Sequence, residues 1–191
     1  MRHRVDYTTI VAYSLHHTGI GQAMSLTYIQ GDLFTNIANL PQKIMIAHVC
    51  NSVGGWGAGF TRSLSKHFPG VEQSYRQLFS DKQYRHEERE LGSVQFVVDS
   101  TKRVVANMIA QHAIGPGGRL IRYNDLAKCM DNVADFVMKH EIHCPLFGTD
   151  LAGGDWTVIE PLIHDCWVSK GSNVVVHYLP GKLPASVKLK S

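Results

Sequence analysis

The sequence has no apolar run approaching the roughly 20 residues that cross a bilayer, so no membrane association is expected. Cysteine is scarce. Cys50, Cys129, Cys144 and Cys166 match neither a zinc spacing nor a dense disulfide framework. They read as reduced thiols, which points to a cytoplasmic protein. Excess charge is also small. A net charge of +3 with neutral histidines is too little to argue for nucleic acid, although it suits a chain that accepts an anion. No internal repeat and no low-complexity tract occurs, and the histidines show no metal-ligand pattern, so no metal or cofactor is expected. What remains is an ordinary globular composition. With 44% hydrophobic and 18% charged residues in 191, the chain suits one domain, expected to be a monomer, with enough length to bury a core.

Residues 1–23 differ from the rest. Arg2 and Arg4 precede a mildly apolar run, Ile10 to Leu15, which Tyr13 and Ser14 interrupt and His16 and His17 follow. That is poor material for a signal peptide. Met24 opens a clean strand, so residues 1–23 are expected to be a leader or disordered extension, 24–180 the domain, and 181–191 a polar tail that frays.

Within 24–180, strand-like and helix-like pieces alternate. Strands are expected at Leu26–Gln30, Lys43–Cys50, Ser93–Val98, Val104–Ile109, His143–Phe147 and Asn173–Leu179. Ile44-Met45-Ile46-Ala47 is apolar throughout, as in a strand buried on both faces. The link 99–103 reads as a hairpin and the polar stretch 81–90 as an exposed loop. Helices are expected over Ala58–His67, Gly70–Phe79, Tyr123–Val137 and Trp156–Cys166. Thr157 and Glu160 have capping-box spacing for the last one, and Asp155 is an alternative N-cap. This order predicts an α/β domain with helices on both faces of a mixed sheet.

Two loops stand out. In His48-Val49-Cys50-Asn51-Ser52-Val53-Gly54-Gly55-Trp56-Gly57-Ala58-Gly59-Phe60, four glycines fall within six residues, directly before a helix. Glycine allows close backbone approach, and free N–H groups at a helix start favour phosphate. A second loop, Gly148-Thr149-Asp150-Leu151-Ala152-Gly153-Gly154-Asp155, again joins strand to helix. Together the two suit the ends of a diphosphate. The first does not fit a dinucleotide fingerprint, because Phe60 stands where the third glycine belongs and no second strand ending in an acid follows.

Gly31-Asp32-Leu33, Ile46-Ala47-His48-Val49-Cys50-Asn51 with the glycine turn after it, and Gly148 to Trp156 resemble, in combination, the signature segments of the macro domain family. The branch with ADP-ribose 1''-phosphate phosphatases resembles this chain most, and the resemblance runs from about Leu26 to Leu179. It implies a three-layer α/β/α fold with a central mixed sheet and a small-molecule ADP-ribose derivative as ligand. An ADP-ribosylated macromolecule is a further candidate partner. It also implies roles. Asp32 accepts from the adenine amino group, with Leu33 beside it. Asn51 holds distal ribose hydroxyls. Gly55, Trp56, Gly57, Ala58, Gly59 and Phe60 wrap the distal ribose and one phosphate, and Gly148, Thr149, Asp150, Leu151, Ala152 and Gly153 cradle the diphosphate. His48 assists turnover as acid or base, with Asn51 orienting the ribose.

Plainer readings stand beside these. Asp32 suits a helix cap, Asn51 a turn that satisfies its own backbone, His48 a paired core histidine, and Trp56 a lid on the core. Asn107, in an apolar strand, requires a partner. Related second loops carry glycine where this chain has Asp150, and an acid there either points away from a diphosphate or moves a proton. The lysine–aspartate pair of ADP-ribosyl-glutamate hydrolases is not matched, since Ala152 occupies the aspartate position. The expected function is therefore ADP-ribose binding with hydrolysis at the distal ribose. The alternatives are a non-catalytic reader, an ADP-ribosyl-protein or nucleic-acid hydrolase and, more remotely, an RNA- or poly(ADP-ribose)-binding protein.

Overall fold

The computed structural model describes residues 11–14, 24–40, 43–80, 91–99, 102–115, 117–136 and 141–188. The stretch 81–90, read from sequence as a loop, lies outside them, as do 1–10 and 15–23, read as part of a leader or extension. Seven strands form one sheet: β1 (Val11–Ser14), β2 (Ser25–Gln30), β3 (Ile44–Asn51), β4 (Val94–Val98), β5 (Val104–Gln111), β6 (Glu141–Pro145) and β7 (Val174–Tyr178). Their spatial order is β1-β2-β7-β6-β3-β5-β4. The five inner strands are mutually parallel, and β1 and β4 pair antiparallel at the two edges. The hairpin expected around 99–103 is the β4–β5 connection, with Val98 opposite Val104.

Among the described residues, five α-helices flank the sheet: α1 (Leu33–Ile37), α2 (Phe60–His67), α3 (Pro69–Ser80), α4 (Tyr123–Phe136) and α5 (Trp156–Ile163). A π-helical turn, His164–Val168, extends α5. Alternation along the inner strands builds the layers. In β3, Met45 and Ala47 face a core shared with α4 and α5, while Ile44 and Ile46 face the core beneath α1, α2 and α3. In β5, Ala106, Met108 and Ala110 join the first core, whereas Val105 and Ile109 turn to the opposite face. This is the expected three-layer arrangement around a mixed sheet.

Local details differ from expectation. The capping box at Thr157 and Glu160 does not form. Asp155 caps α5 by accepting from the Thr157 N–H at 2.8 Å, and Glu160 instead accepts from the Tyr28 hydroxyl at 2.8 Å. Past Pro180, Val187 is buried in the main core and Leu183 packs against it. Within residues 1–23, Val11–Ser14 pair with β2 as an edge strand.

Candidate functional site

Because β2, β7, β6, β3 and β5 run parallel, their carboxyl ends share one edge of the sheet. Three of those ends lead directly into helices: β2 through Gly31-Asp32 into α1, β3 through 52–59 into α2, and β6 through 146–155 into α5. Beyond this edge lies a cleft of about 360 Å³, lined by residues from all three junctions and by Gln111, His177, Tyr178, Leu179 and Lys182. Ligands of open α/β sheets bind in this position.

Each junction is built by its own side chains. At the first, Asp32 caps α1, its Oδ1 accepting from the Thr35 N–H at 3.0 Å and the Thr35 hydroxyl at 3.3 Å. Its other oxygen makes no hydrogen bond among the described residues. At the second, Asn51 closes the turn on itself. Its Oδ1 accepts from the N–H groups of Val53 at 3.2 Å and Gly55 at 2.8 Å, and its Nδ2 donates to the Gly55 carbonyl at 2.6 Å. The Tyr75 hydroxyl donates to the Asn51 carbonyl. Thr61 Oγ1 then accepts from the Gly57 N–H at 3.0 Å and donates to the Ala58 carbonyl at 2.8 Å.

At the third junction, the Gly154 N–H donates to the Gly148 carbonyl at 2.8 Å, closing the loop into a ring. A Cβ on Gly154 would lie 2.4 Å from that same oxygen, so only glycine permits the closure. The N–H groups of Leu120 and Ile121 brace the ring by donating to the Ala152 carbonyl at 2.9 and 3.0 Å. Asp150 takes φ +45°, the left-handed region, with its side chain exposed. A residue other than glycine thus holds a backbone conformation that favours glycine, at a cost of about 1 kcal/mol. Among the described residues, the N–H groups of Ala58, Gly59, Gly148 and Thr149 donate to no backbone acceptor.

No family model matches the sequence. Solved structures do. A macrodomain protein from Streptomyces coelicolor is 36% identical, with 80% of this chain and 97% of that one covered and a TM-score of 0.67. The chain belongs to the macrodomain family. A Bacteroides thetaiotaomicron protein of unknown function shares the macrodomain's fold at 38% identity, covering 83% of this chain and all of that one, with a TM-score of 0.72. Among curated proteins, the ADP-ribose 1''-phosphate phosphatase of Candida albicans is 24% identical over 157 residues, which are 73% of this macrodomain and 92% of that protein.

The macrodomain cleft brings together Asp32, Leu33, His48, Ala58, Gly59, Phe60, Gly148, Thr149, Asp150, Leu151 and Ala152. The two glycine loops meet across it, since a Cβ on Gly59 would lie 3.4 Å from Leu151 Cδ1. Asn51, Gly55, Trp56, Gly57 and Gly153 are not in the lining. Asn51 has committed its amide to the turn. Gly55 packs under Ile114, and Gly153 lies against the backbone of Gly118 and Arg119. Trp56 donates through Nε1 to Ser65 Oγ at 2.7 Å and packs on Tyr75 with ring centroids 5.0 Å apart, so it seals the core below the loop.

His48 lines the cleft yet is 1% exposed. Asn107 is its partner, with Nε2 to Oδ1 at 2.6 Å. Asn107 Nδ2 donates to Gln95 Oε1 at 3.0 Å, and Gln95 Nε2 donates to the Ser74 carbonyl at 2.9 Å. That direction leaves Asn107 Oδ1 as acceptor, so His48 carries a proton on Nε2. Burial pushes its pKa down to about 4, against the opposing effect of its hydrogen bond to Asn107, so the ring is neutral near pH 7. Phe60 and Trp56 enclose the ring, with centroids at 5.4 and 5.7 Å. This is a paired core histidine in its chemistry, poorly suited to giving or taking a proton near pH 7. Cys50 Sγ, 3.8 Å from the His48 ring nitrogens, is no alternative nucleophile, because burial raises its thiol pKa well above the usual range.

Reasoning from sequence missed the contribution of β7. His177, Tyr178 and Leu179 end a strand parallel to β2 and β6, so they reach the same edge, and Lys182 follows them. The signal was the polar His177 inside a Val-rich run.

Proposed function

We propose that this macrodomain binds ADP-ribose and its derivatives in the cleft and hydrolyses the phosphate monoester of ADP-ribose 1''-phosphate. The observation that carries the reading is one continuous cleft that joins the Asp32 carboxylate to the free backbone N–H groups of both glycine loops. The second Asp32 oxygen suits an exocyclic amino group, a donor that guanine lacks at that position. The N–H groups around Gly148 and Thr149 suit a diphosphate, and those at Ala58 and Gly59, ahead of α2, suit a further phosphate. The cleft volume lies within the range of small-ligand sites. The monoester is suggested by the curated relative from Candida albicans. In this reaction water attacks phosphorus and the bond from phosphorus to the ribose oxygen breaks, giving ADP-ribose and inorganic phosphate. Loop positioning of the ester supplies the rate, and His48 shapes the loop rather than moving the proton.

A second reading, a reader of free or protein-linked ADP-ribose without turnover, is favoured by the burial and neutrality of His48. Titration calorimetry with ADP-ribose, with AMP and NAD as controls, tests the shared part. Saturable binding of ADP-ribose is expected, and its absence at millimolar ligand overturns both readings. Release of inorganic phosphate from ADP-ribose 1''-phosphate separates them: binding without release leaves the reader.

A further inference from the structure

Beneath the Asp32 end of the cleft, four side chains from three elements form a line. Asn36 Nδ2, on α1, lies 3.1 Å from His177 Nδ1 on β7. His177 Nε2 lies 2.9 Å from His143 Nδ1 on β6. His143 Nε2 lies 2.7 Å from Glu141 Oε1. The two rings are 4% and 2% exposed, respectively, and stack at 28°. Glu141, at the far end, has its side chain 42% exposed.

The end groups fix the direction of the whole line. An Asn36 amide N–H can only donate, so His177 Nδ1 is bare and its proton sits on Nε2. His143 Nδ1 must then accept, which places the His143 proton on Nε2, where Glu141 accepts it. Each bond has one donor and one acceptor, and the carboxylate end is held below the usual range by that hydrogen bond. One added proton breaks the pattern. If His143 becomes an imidazolium held by Glu141, its Nδ1–H needs an acceptor. His177 must then move its own proton to Nδ1, where it meets the Asn36 amide donor, and the amide has to turn over. Asn36 is packed against the turn that carries Asp32. A Cβ on Gly31 would stand 3.0 Å from Asn36 Oδ1 and 3.1 Å from Nδ2. The Asn36 N–H also donates to the Asp32 carbonyl at 3.0 Å.

The titratable groups facing this line are few. β6 presents Glu141 and His143, and β7 presents His177. α1 presents the neutral Asn36, with Asp32 at its head engaged by Thr35. The flanking strands place Ile29 beside His177 and Ile46 beside His143. Lys182 lines the same cleft as His177, and Lys43 precedes Ile44, the residue opposite Glu141.

We infer that Glu141, His143, His177 and Asn36 act as one directional chain that positions the Gly31-Asp32 turn, and that proton uptake at His143 reverses the chain and loosens the hold on ligand at the Asp32 end. The inference rests on the proposed ADP-ribose site. His143 and His177 are positioning residues in it, acting through Asn36.

The test is nitrogen-detected NMR of the full chain from about pH 8 to about pH 5, a range that covers histidine titration, with calorimetry of ADP-ribose over the same range. At the upper end both Nδ1 atoms are expected to be unprotonated. On acidification one transition should move the His143 and His177 ring signals together with the Gly31 and Asp32 amides, and affinity should fall about tenfold per pH unit below its midpoint. Glu141→Gln removes the anion that holds the imidazolium, so its transition should shift at least about one unit lower. A protonated Nδ1 on either ring at pH 8, or Gly31 and Asp32 amides that ignore the ring transition, overturns the chain. An affinity that stays flat through that transition overturns its link to ligand. Absence of ADP-ribose binding even at pH 8 sinks the proposed function instead, and the ring and amide signals of the unliganded protein still decide the chain.

Discussion

Asn107→Leu isolates what His48 does. Asn107 is fully buried and satisfies two neighbours: it accepts from His48 Nε2 at 2.6 Å and donates to Gln95 Oε1 at 3.0 Å. Leucine has a similar volume and offers neither group, so the variant orphans a buried donor and a partly buried acceptor. Each costs about 1–3 kcal/mol, and the Gln95 side, nearer solvent, falls at the low end. The expected loss is about 2–4 kcal/mol, a fall in Tm of about 5–15 °C for a chain of this length. His48→Phe combined with Asn107→Leu removes both partners and should recover part of that loss, since an apolar pair leaves only Gln95 to rehydrate. Scanning calorimetry and urea titration of the wild type, both single variants and the double variant complete the cycle. A Tm unchanged within a degree in Asn107→Leu refutes the reasoning. So does a His48→Phe variant that keeps its stability and loses phosphate release by more than about a hundredfold, the mark of a histidine that touches the reaction.

Asp32→Asn should keep the cap, since asparagine caps as well as aspartate, while placing an amide donor where the proposed ligand also donates. Unchanged Tm with ADP-ribose affinity down about tenfold or more is expected, and calorimetry checks both. Gly154→Ala forces a methyl to within 2.4 Å of the Gly148 carbonyl. It should destabilise by about 1–3 kcal/mol and abolish binding, as read by urea titration and ligand titration. Acid should destabilise the domain. Burial holds His48 down to about 4 and His177 down to about 3, so the unfolded chain binds the extra protons between those values and about 6.5. Their contribution is complete above about pH 6.5 and shrinks by about 1.4 kcal/mol per pH unit per histidine as pH falls, which urea midpoints at several pH values would reveal.

The doubly buried run at Ile44–Ala47 and the turn after β4 were legible because they depend on local pattern. The glycine loops were legible too, since left-handed backbone such as φ +76° at Gly148 has few other occupants. Asp32 forms the helix cap that one of its two readings gave it, with Oδ1 engaged at the start of α1, and its contact with adenine belongs to the proposed function. Asn51 and Trp56 each carried two readings, because a polar or aromatic residue beside a turn looks the same whether it faces ligand or closes the turn, and here Asn51 bonds the turn while Trp56 packs on Tyr75. The histidine line was invisible because its members lie on strands 34 residues apart in sequence and meet only through the β6–β7 register, where Pro145 stands opposite His177.

The hydrogen bond between Gly154 and Gly148 has a consequence for diversification. It pins both ends of the second loop at one point, while Ala152 and Gly153 stay braced against residues 118–121, so the exposed Asp150 and Leu151 form an exchangeable tip held by a fixed clasp. Changes inside the clasp alter what the cleft presents without shifting β6 or α5. An acidic residue at position 150 is then a change of reagent rather than of architecture, and new ligand preferences can be written into this scaffold at its exposed tip.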